Sequence, residues 1–271
     1  MNKIISSADE RLTYIFDLDG VVYRGVTPQP YAVESINELG RLGHSVWYFT
    51  NNAAQTRASY VEKLAGMGIA ADEDRVMTSA YATGLYMSDN YSLEGKSVLC
   101  VGHEGITDEM QRLGLECGTG SELKRYDFVV AGIKRDITYN EIWAAMYAIR
   151  NGAVFIATNT DKTFPLDKGM LAPGGGVIVN AISTATDVIP YVCGKPNTFA
   201  IDRIMAISGS DREHTVMVGD RLDTDIAVAN NASITSALVM GGVTSKEAAL
   251  AAEGKEKPDH IIDDLRGLLP S

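Results

Sequence analysis

Cysteine is scarce: Cys100, Cys117 and Cys193 are the only three in 271 residues, and they lie far apart. They form no CxxC and no Cys/His spacing of the kind that holds structural zinc, and an odd number cannot close a disulfide framework. Reduced, packed cysteines are expected. Four histidines, His44, His103, His214 and His260, are equally isolated, and none is assigned to catalysis. Positive charge is also short, with 24 Lys and Arg against 35 Asp and Glu, a formal net charge of -11. A nucleic-acid backbone is ordinarily met by a basic patch, so nucleic-acid binding is not expected. The same charge opposes long-range steering of any anionic small molecule, whose attraction must then be local. No apolar run is long enough to cross a bilayer, and "MNKIISSADERL" lacks the apolar stretch of a secretory signal. A soluble cytoplasmic protein with no membrane partner is the expectation. Repeats, low-complexity tracts and long linkers are missing too, which predicts ordered structure throughout.

Apolar residues are plentiful by comparison, at 45% of the chain, enough for a sizeable core in one large domain or two small ones. Short β-rich segments alternate with helical patterns, the signal of βα units around a parallel sheet. The pattern predicts strands at "LTYIFD" (12–17), "SVWYFT" (45–50), "SVLCVG" (97–102), "YDFVVAG" (126–132), "AVFIATN" (153–159), "TVMVGD" (215–220) and "TSALVM" (235–240). It predicts helices over 30–43, 54–68, 106–114, 138–152 and 177–187, another ending near Ile207, and another starting near Thr224. Val33, Ile36 and Leu39 recur at helical spacing and mark the core side of the first helix. Trp47 and Trp143 lie in apolar-rich segments and are expected in the core. The glycine-rich "LAPGGG" has no GK[ST] after it, so it meets neither the P-loop nor the dinucleotide fingerprint and is expected to bend the chain before a helix.

The stretch "YIFDLDGVVY" (14–23) climbs an apolar strand to Asp17 and Asp19. Residues two apart on a strand share a face, so both carboxylates are expected to point the same way where the sheet meets solvent. Neighbouring carboxylates repel when both are ionised, so the pair must bind a cation or hold different protonation states. Ligands of open α/β sheets gather at the C-terminal strand ends. Other strand ends carry matching chemistry: "TNNA" brings Thr50, Asn51 and Asn52 to a helix entry, where a hydroxyl and unpaired amides suit phosphate oxygens. "YVCGKPN" sets Lys195 between a glycine and a proline, and "GDRLDTDI" ends a strand on Asp220 with Asp223 and Asp225 at the next helix start. Taken singly, a DxDG is an ordinary cap and turn, and acids at a helix start simply meet its dipole. Their order and their shared position at strand ends give the set its meaning.

Together the four stretches resemble the signature motifs of the haloacid dehalogenase-like hydrolase superfamily. "TNNAAQTRASYVEKLAGMG" and "GDRLDTDI" are most similar to the group of NagD-type, p-nitrophenyl-, phosphoglycolate and pyridoxal phosphatases. The resemblance implies a Rossmann-like parallel-sheet core built from residues 1–82 and 189–271, with an α/β cap domain inserted at 83–188 that excludes water and reads the leaving group. It implies Mg²⁺-dependent hydrolysis of small soluble phosphomonoesters such as glycerol phosphate, phosphoglycolate, a sugar phosphate, a nucleotide monophosphate or pyridoxal phosphate, with p-nitrophenyl phosphate as an artificial substrate. Asp17 is then the nucleophile that forms an aspartyl-phosphate, and Asp19 the general acid and base. Asp17, the Asp19 carbonyl and Asp220 hold Mg²⁺; Thr50, Asn51, Asn52, Lys195 and Arg221 contact phosphate; Asp225 supports the metal shell or orients Lys195. Charge counting agrees, since Asp17, Asp19, Asp220 and Asp225 with a phosphate of roughly two charges exceed what Lys195 can balance. Asn159, Asp161 and residues 166–175 are the cap positions expected to face the site, and cap-mediated homodimers among relatives imply a homodimer here.

The chain departs from the group's usual text at Ala53, Asn197, Asn230 and Asn231, and none of these changes removes a catalytic group. Two other chemistries share parts of the pattern. A phospho-accepting receiver protein uses an aspartate, a threonine and a lysine but needs neither Asp19 nor a cap. A dehalogenase uses an aspartate nucleophile without magnesium, which the full DxD and GDxxxxD set disfavours.

Overall fold

The structure, a computed structural model, describes residues 11–165 and 170–270. The N-terminal stretch read for a secretory signal, up to residue 10, and residues 166–169 of the expected cap segment lie outside the described residues. β1 (Thr13–Phe16) leads through a small ladder, β2 (Tyr23–Arg24) with β3 (Thr27–Pro28), to α1 (Ala32–Arg41), β4 (Ser45–Thr50), α2 (Arg57–Gly66) and β5 (Val76–Thr78). Next come α3 (Ser79–Asn90), β6 (Ser97–Val101), α4 (Glu104–Arg112), β7 (Glu116–Gly118), β8 (Phe128–Ala131), α5 (Tyr139–Arg150) and β9 (Val154–Ala157). The hairpin β10 (Thr163–Pro165) and β11 (Leu171–Pro173), then α6 (Gly175–Thr186), β12 (Tyr191–Val192), α7 (Phe199–Ser208) and β13 (Thr215–Gly219) follow. The chain closes with α8 (Ala227–Ala232), β14 (Thr235–Val239), α9 (Lys246–Ala251) and β15 (His260–Ile262).

Two compact units result, one comprising Met1–Thr50, Tyr60–Met77 and Lys195–Ser271, the other Asn51–Ser59 and Thr78–Gly194. The first holds a six-stranded sheet in the order β15-β14-β13-β1-β4-β5, the second a five-stranded sheet in the order β12-β9-β8-β6-β7. β1 runs parallel to both β13 and β4, and all four of its residues are buried, as a central strand covered on both faces requires. The chain leaves β1 toward β4 on one side and returns on the other through β13, so the order reverses at β1, the position where α/β sheets place ligands. Tyr14, Phe16, Leu18, Ile36, Leu39, Tyr48 and Val216 belong to the core of this unit.

The second unit has its own core, with Val129, Ala144, Ala148, Phe155 and Ile178 among its members. α5 opens on a capping box, the Thr138 hydroxyl accepting from the Glu141 amide (3.3 Å) while the Glu141 carboxylate accepts from the Thr138 amide (2.9 Å). Its core face is made by Ala144, Ala145, Ala148 and Ile149, so Trp143 falls on the other side and is 47% exposed, against the expectation for it; Trp47 is buried. The unpredicted α3 buries Ser79, Ala80, Ala82, Thr83 and Gly84, small residues that carry no apolar periodicity. All three cysteines are free. Among the described residues no helix is long and apolar enough to cross a membrane.

Within the second unit, Arg57 and Glu109 form a buried ion pair (2.6 Å), and Arg57 also lies over the Tyr81 ring at 3.8 Å. Removing one partner of such a pair leaves a desolvated charge, whereas replacing both by apolar groups does not. Glu109→Ala is expected to cost about 3–5 kcal/mol in urea unfolding, and Arg57→Met with Glu109→Leu to recover most of it. Equal loss in the single and double variants would refute this account.

Candidate active site

β1 stops at Phe16, one residue before the first acid, and the Asp17 amide still donates to the Val218 carbonyl (2.9 Å) of β13. The regular strand thus ends before the two acids; Asp17 is buried and Asp19 half-buried, and both act on the Tyr23 and Tyr60 phenols. The turn that follows is closed by the Gly20 amide donating to the Tyr23 carbonyl (2.8 Å). Gly20 takes φ +102, and a Cβ on it would overlap the Asp220 carboxylate, as would one on Gly242. Close approach, as well as turn geometry, demands glycine here.

Asp220 directly follows β13 and is fully buried. Its Oδ2 accepts from the Val243 amide (2.8 Å), and its main-chain carbonyl accepts from the Thr244 hydroxyl (2.6 Å). Its Oδ1 has no hydrogen-bond partner among the described residues. Lys195, 2% exposed, donates from Nζ to Asp17 Oδ1 (2.5 Å), Asp225 Oδ1 (2.7 Å) and the Phe49 carbonyl (3.0 Å). These three acceptors match the three protons of an ammonium. Asp225 uses its other oxygen, Oδ2, to accept from the amides of Asp220 (3.2 Å) and Arg221 (3.1 Å). It reaches them from a wide π-type turn, Leu222–Ile226, which stands where a helix starting near Thr224 was expected and delays α8 to Ala227. The departures at Asn197 and Asn231 have local roles: Asn231 Nδ2 donates to the Pro196 carbonyl (3.0 Å), and Asn197 Oδ1 accepts from the Phe199 amide (2.9 Å) at the start of α7.

Three buried carboxylates thus face one ammonium. Burial pushes Asp17 well above the carboxylate range; Lys195 pulls it back, while Asp225 and Asp220 add to the rise. Asp220 is pushed up to about 7, by burial first and by Asp225 second, against the Val243 amide and the charges of Lys195 and Arg221. Burial alone would lower Lys195, but Asp17 and Asp225 outweigh it and hold the ammonium above its ordinary range. Carboxylate oxygens of Asp17, Asp220 and Asp225 lie within 4.8 Å of one another. An all-oxygen donor set, excess negative charge and the unpartnered Asp220 Oδ1 fit a hard divalent cation such as Mg²⁺. Asp225 shares the cluster, but both of its oxygens are engaged by protein donors, so Asp17 and Asp220 are the side chains that fit the ion.

The remaining expected residues are distributed as follows. Thr50 ends β4, is buried and is hydrogen-bonded to the Tyr60 side chain. Asn51 and Asn52 belong to the second unit, where the Asn51 carbonyl accepts from the Ser79 hydroxyl (2.7 Å), its Nδ2 donates to Asp161 Oδ1 (3.1 Å), and Asn52 Oδ1 accepts from the Ala54 amide (3.0 Å). Asn159, also in that unit and buried, donates to Asp161 Oδ2 (2.9 Å). Arg221 is half-buried and turns its guanidinium onto Asp223 (3.2 and 3.1 Å). Three residues near the acids were not singled out from sequence: Tyr23, Tyr60 and Lys63. Asp19 and Asp17 add to the upward push that burial exerts on both phenols, and Lys63 Nζ lies 3.5 Å from the Tyr23 ring centroid. Tyr60 and Lys63 sit three apart on α2, a spacing visible in the sequence, but an aromatic residue on a helix reads first as core.

The profile of the haloacid dehalogenase-like hydrolases matches residues 14–116, and that described as HAD-hydrolase-like matches residues 192–268. The chain belongs to the haloacid dehalogenase-like hydrolase family. It is 36% identical over 257 residues to a 5'-nucleotidase of Bacillus subtilis, covering 95% of this chain and 97% of that protein. It is 32% identical to phosphoglycolate phosphatase 2 of Arabidopsis thaliana over 95% of this chain and 92% of the relative. Among solved structures, the glycerol phosphate phosphatase of Mycobacterium tuberculosis in complex with magnesium superposes with a TM-score of 0.87 at 34% identity, covering 99% of this chain and 78% of that one.

Because folding raises the Asp220 pKa, the native state binds that proton more tightly than the unfolded chain does. In metal-free protein the resulting instability is absent at pH below the unfolded value and complete above about 7. Asp220→Asn is expected to stabilise the metal-free protein at pH 8 by more than about 2 kcal/mol, since tenfold in proton affinity is worth about 1.4 kcal/mol, and to have a much smaller effect at pH 4. Urea midpoints in chelator at the two pH values check this; a lower midpoint at pH 8 contradicts it.

Proposed function

We propose that this chain is a Mg²⁺-dependent phosphatase of small soluble phosphomonoesters that works through an aspartyl-phosphate. The observation that carries the reading is Asp17 pinned by Lys195 beside an Asp220 whose Oδ1 has no partner. Asp17, held by Lys195 through Oδ1, is assigned to attack on phosphorus. As the Asp17–P bond forms, the bond from phosphorus to the leaving oxygen breaks, and that oxygen takes a proton from Asp19. Asp19 then removes a proton from water, whose oxygen bonds to phosphorus while the Asp17–P bond breaks, restoring both acids. Asp17, Asp220 and the Asp19 carbonyl would hold Mg²⁺, which would offset the charge of the acids and phosphate and polarise the phosphoryl group. Asp225 acts indirectly, holding Lys195 with one oxygen and the amides of Asp220 and Arg221 with the other.

Thr50, the Asn51 amide, Asn52, Lys195 and Arg221 are assigned to the phosphoryl oxygens, where donors stabilise charge as it develops. Leaving-group selection is assigned to the inserted unit, as a cap, with Asn159 and Asp161 the first residues to vary. The relatives act on chemically different phosphomonoesters, a nucleotide, phosphoglycolate and glycerol phosphate by name, so the substrate has to be found by a panel. A homodimer and a cytoplasmic location belong to the same reading, and the net charge of -11 supports the absence of a nucleic-acid partner.

Phosphate release from such a panel, with and without Mg²⁺, tests the proposal. Asp17→Asn is expected to lower turnover by ~10⁴-fold or more while the thermal midpoint is retained. An undiminished rate in that variant overturns the nucleophile assignment, and release independent of divalent cation overturns the metal assignment.

A further inference from the structure

The glycine run in "LAPGGG", expected only to bend the chain before a helix, lies against the segment that follows β9. A Cβ on Gly174 would collide with the Asp161 carbonyl and one on Gly175 with the Asn159 carboxamide, while the Gly176 amide donates to the Asp161 carbonyl (3.0 Å). Gly194, just before Lys195, closes on the same segment: its amide donates to the Thr158 carbonyl (2.7 Å), and a Cβ on it would collide with that carbonyl and with Asn51 Oδ1. Backbones approach this closely only at glycine. Residues 158–161 are thereby fixed within the second unit, with Asp161 at their end.

What Asp161 holds is the side chain of Asn51. Asn51 Nδ2 donates to Asp161 Oδ1 (3.1 Å) and Asn159 Nδ2 to Asp161 Oδ2 (2.9 Å), while Asn159 Oδ1 accepts from the Thr158 hydroxyl (3.0 Å). A carboxylate only accepts, and its two oxygens here bridge two carboxamide donors. Hydrogen bonds to a charged acceptor are the stronger kind, and Asn51, Asn159 and Thr158 are all buried. The main chain of Asn51 is held as well, its carbonyl accepting from the fully buried Ser79 hydroxyl (2.7 Å). We propose that Asp161 is a positioning residue for the phosphoryl group: by gripping the Asn51 carboxamide it fixes the Asn51 peptide amide where a phosphoryl oxygen binds. The inference rests on the reading of that amide as a phosphate donor and adds what keeps it in place. A donor displaced by about an ångström loses much of its worth in a transition state, so such an amide needs an anchor. The phosphoryl group is common to every substrate of the class, whereas leaving groups differ. Positioning and leaving-group selection therefore give opposite results across a substrate panel.

The test uses the full-length Mg²⁺-loaded enzyme with Asp161→Asn, Asn51→Ala and the pair. It reads kcat and KM over a panel of phosphomonoesters, inhibition by inorganic phosphate, and the shift of the Asn51 backbone amide resonance of the parent enzyme when inorganic phosphate is added. Asp161→Asn keeps the side-chain shape and turns one acceptor into a donor; Asn51→Ala keeps the peptide amide, removes its anchor, and carries the test where Asp161→Asn loses its thermal midpoint. Each single variant is expected to lower kcat/KM by about 10-fold on every substrate, with the rank order kept, and to weaken phosphate inhibition in parallel. The pair is expected to match the single variants. A changed rank order in Asp161→Asn, unaltered phosphate inhibition in a folded single variant, or effects that add fully in the pair overturn the positioning role alone. An Asn51 amide resonance that does not respond to phosphate overturns the phosphate-binding reading of Asn51 itself.

Discussion

One buried ammonium makes the rest of the site tenable. Lys195 stands between Asp17 and Asp225 with a backbone carbonyl as its third acceptor, and all three charged side chains are almost fully removed from water. Without that cation the acids at the ends of β1 and β13 could not ionise side by side in the low-dielectric interior. The three residues are separated by 178 and 30 positions along the chain, so the interaction presupposes the sheet that makes β1 and β13 neighbours. Two further amides converge on Asp225, tying the Lys195 side chain to the backbone that carries Asp220. Ion pair and strand end thus form one network.

That network is deliberately short of positive charge. Three carboxylates cluster beside one ammonium that pairs with two of them, Asp220 Oδ1 has no hydrogen-bond partner among the described residues, and glycines at 20 and 242 keep side-chain bulk off the Asp220 carboxylate. A protein selected only for stability would not keep such a charge, and functional sites are where this kind of cost is tolerated. The acidic surplus is local chemistry, set within a chain whose overall charge has the same sign and cannot steer an anion from a distance. Donors fixed in place by the fold must therefore do the binding.

Much of the architecture was legible because its signals are local. The strand at 45–50 is found at Ser45–Thr50, and the helices expected over 30–43 and 54–68 are α1 and α2, trimmed at their ends. Ile36 and Leu39 are in the core because apolar residues recur at helical spacing there. What escaped lacked such a signal. α3 buries small residues without periodicity, and Trp143, in an apolar segment, lies outside the core because alanines beside it form the packed face. The strand ends at Phe16, one residue short of the first acid, because a turn takes over there. Asp225, expected either to support the metal shell or to orient Lys195, bonds Lys195 with one oxygen and the Asp220 and Arg221 amides with the other, partners that only the folded chain brings to it.

By itself the sequence determined which chemical groups are present and at which strand ends they fall, because hydrophobic alternation and glycine-bounded motifs are properties of neighbouring residues. It also determined the sign and scarcity of charge. Only the tertiary structure decided which carboxylate keeps an oxygen without a partner, which one is consumed in holding Lys195, and which helix side chain meets the Thr50 hydroxyl. Those outcomes depend on distances of a few ångströms between residues far apart in the chain, and a short-range hydrogen bond or ion pair exists only once folding has brought its two ends together.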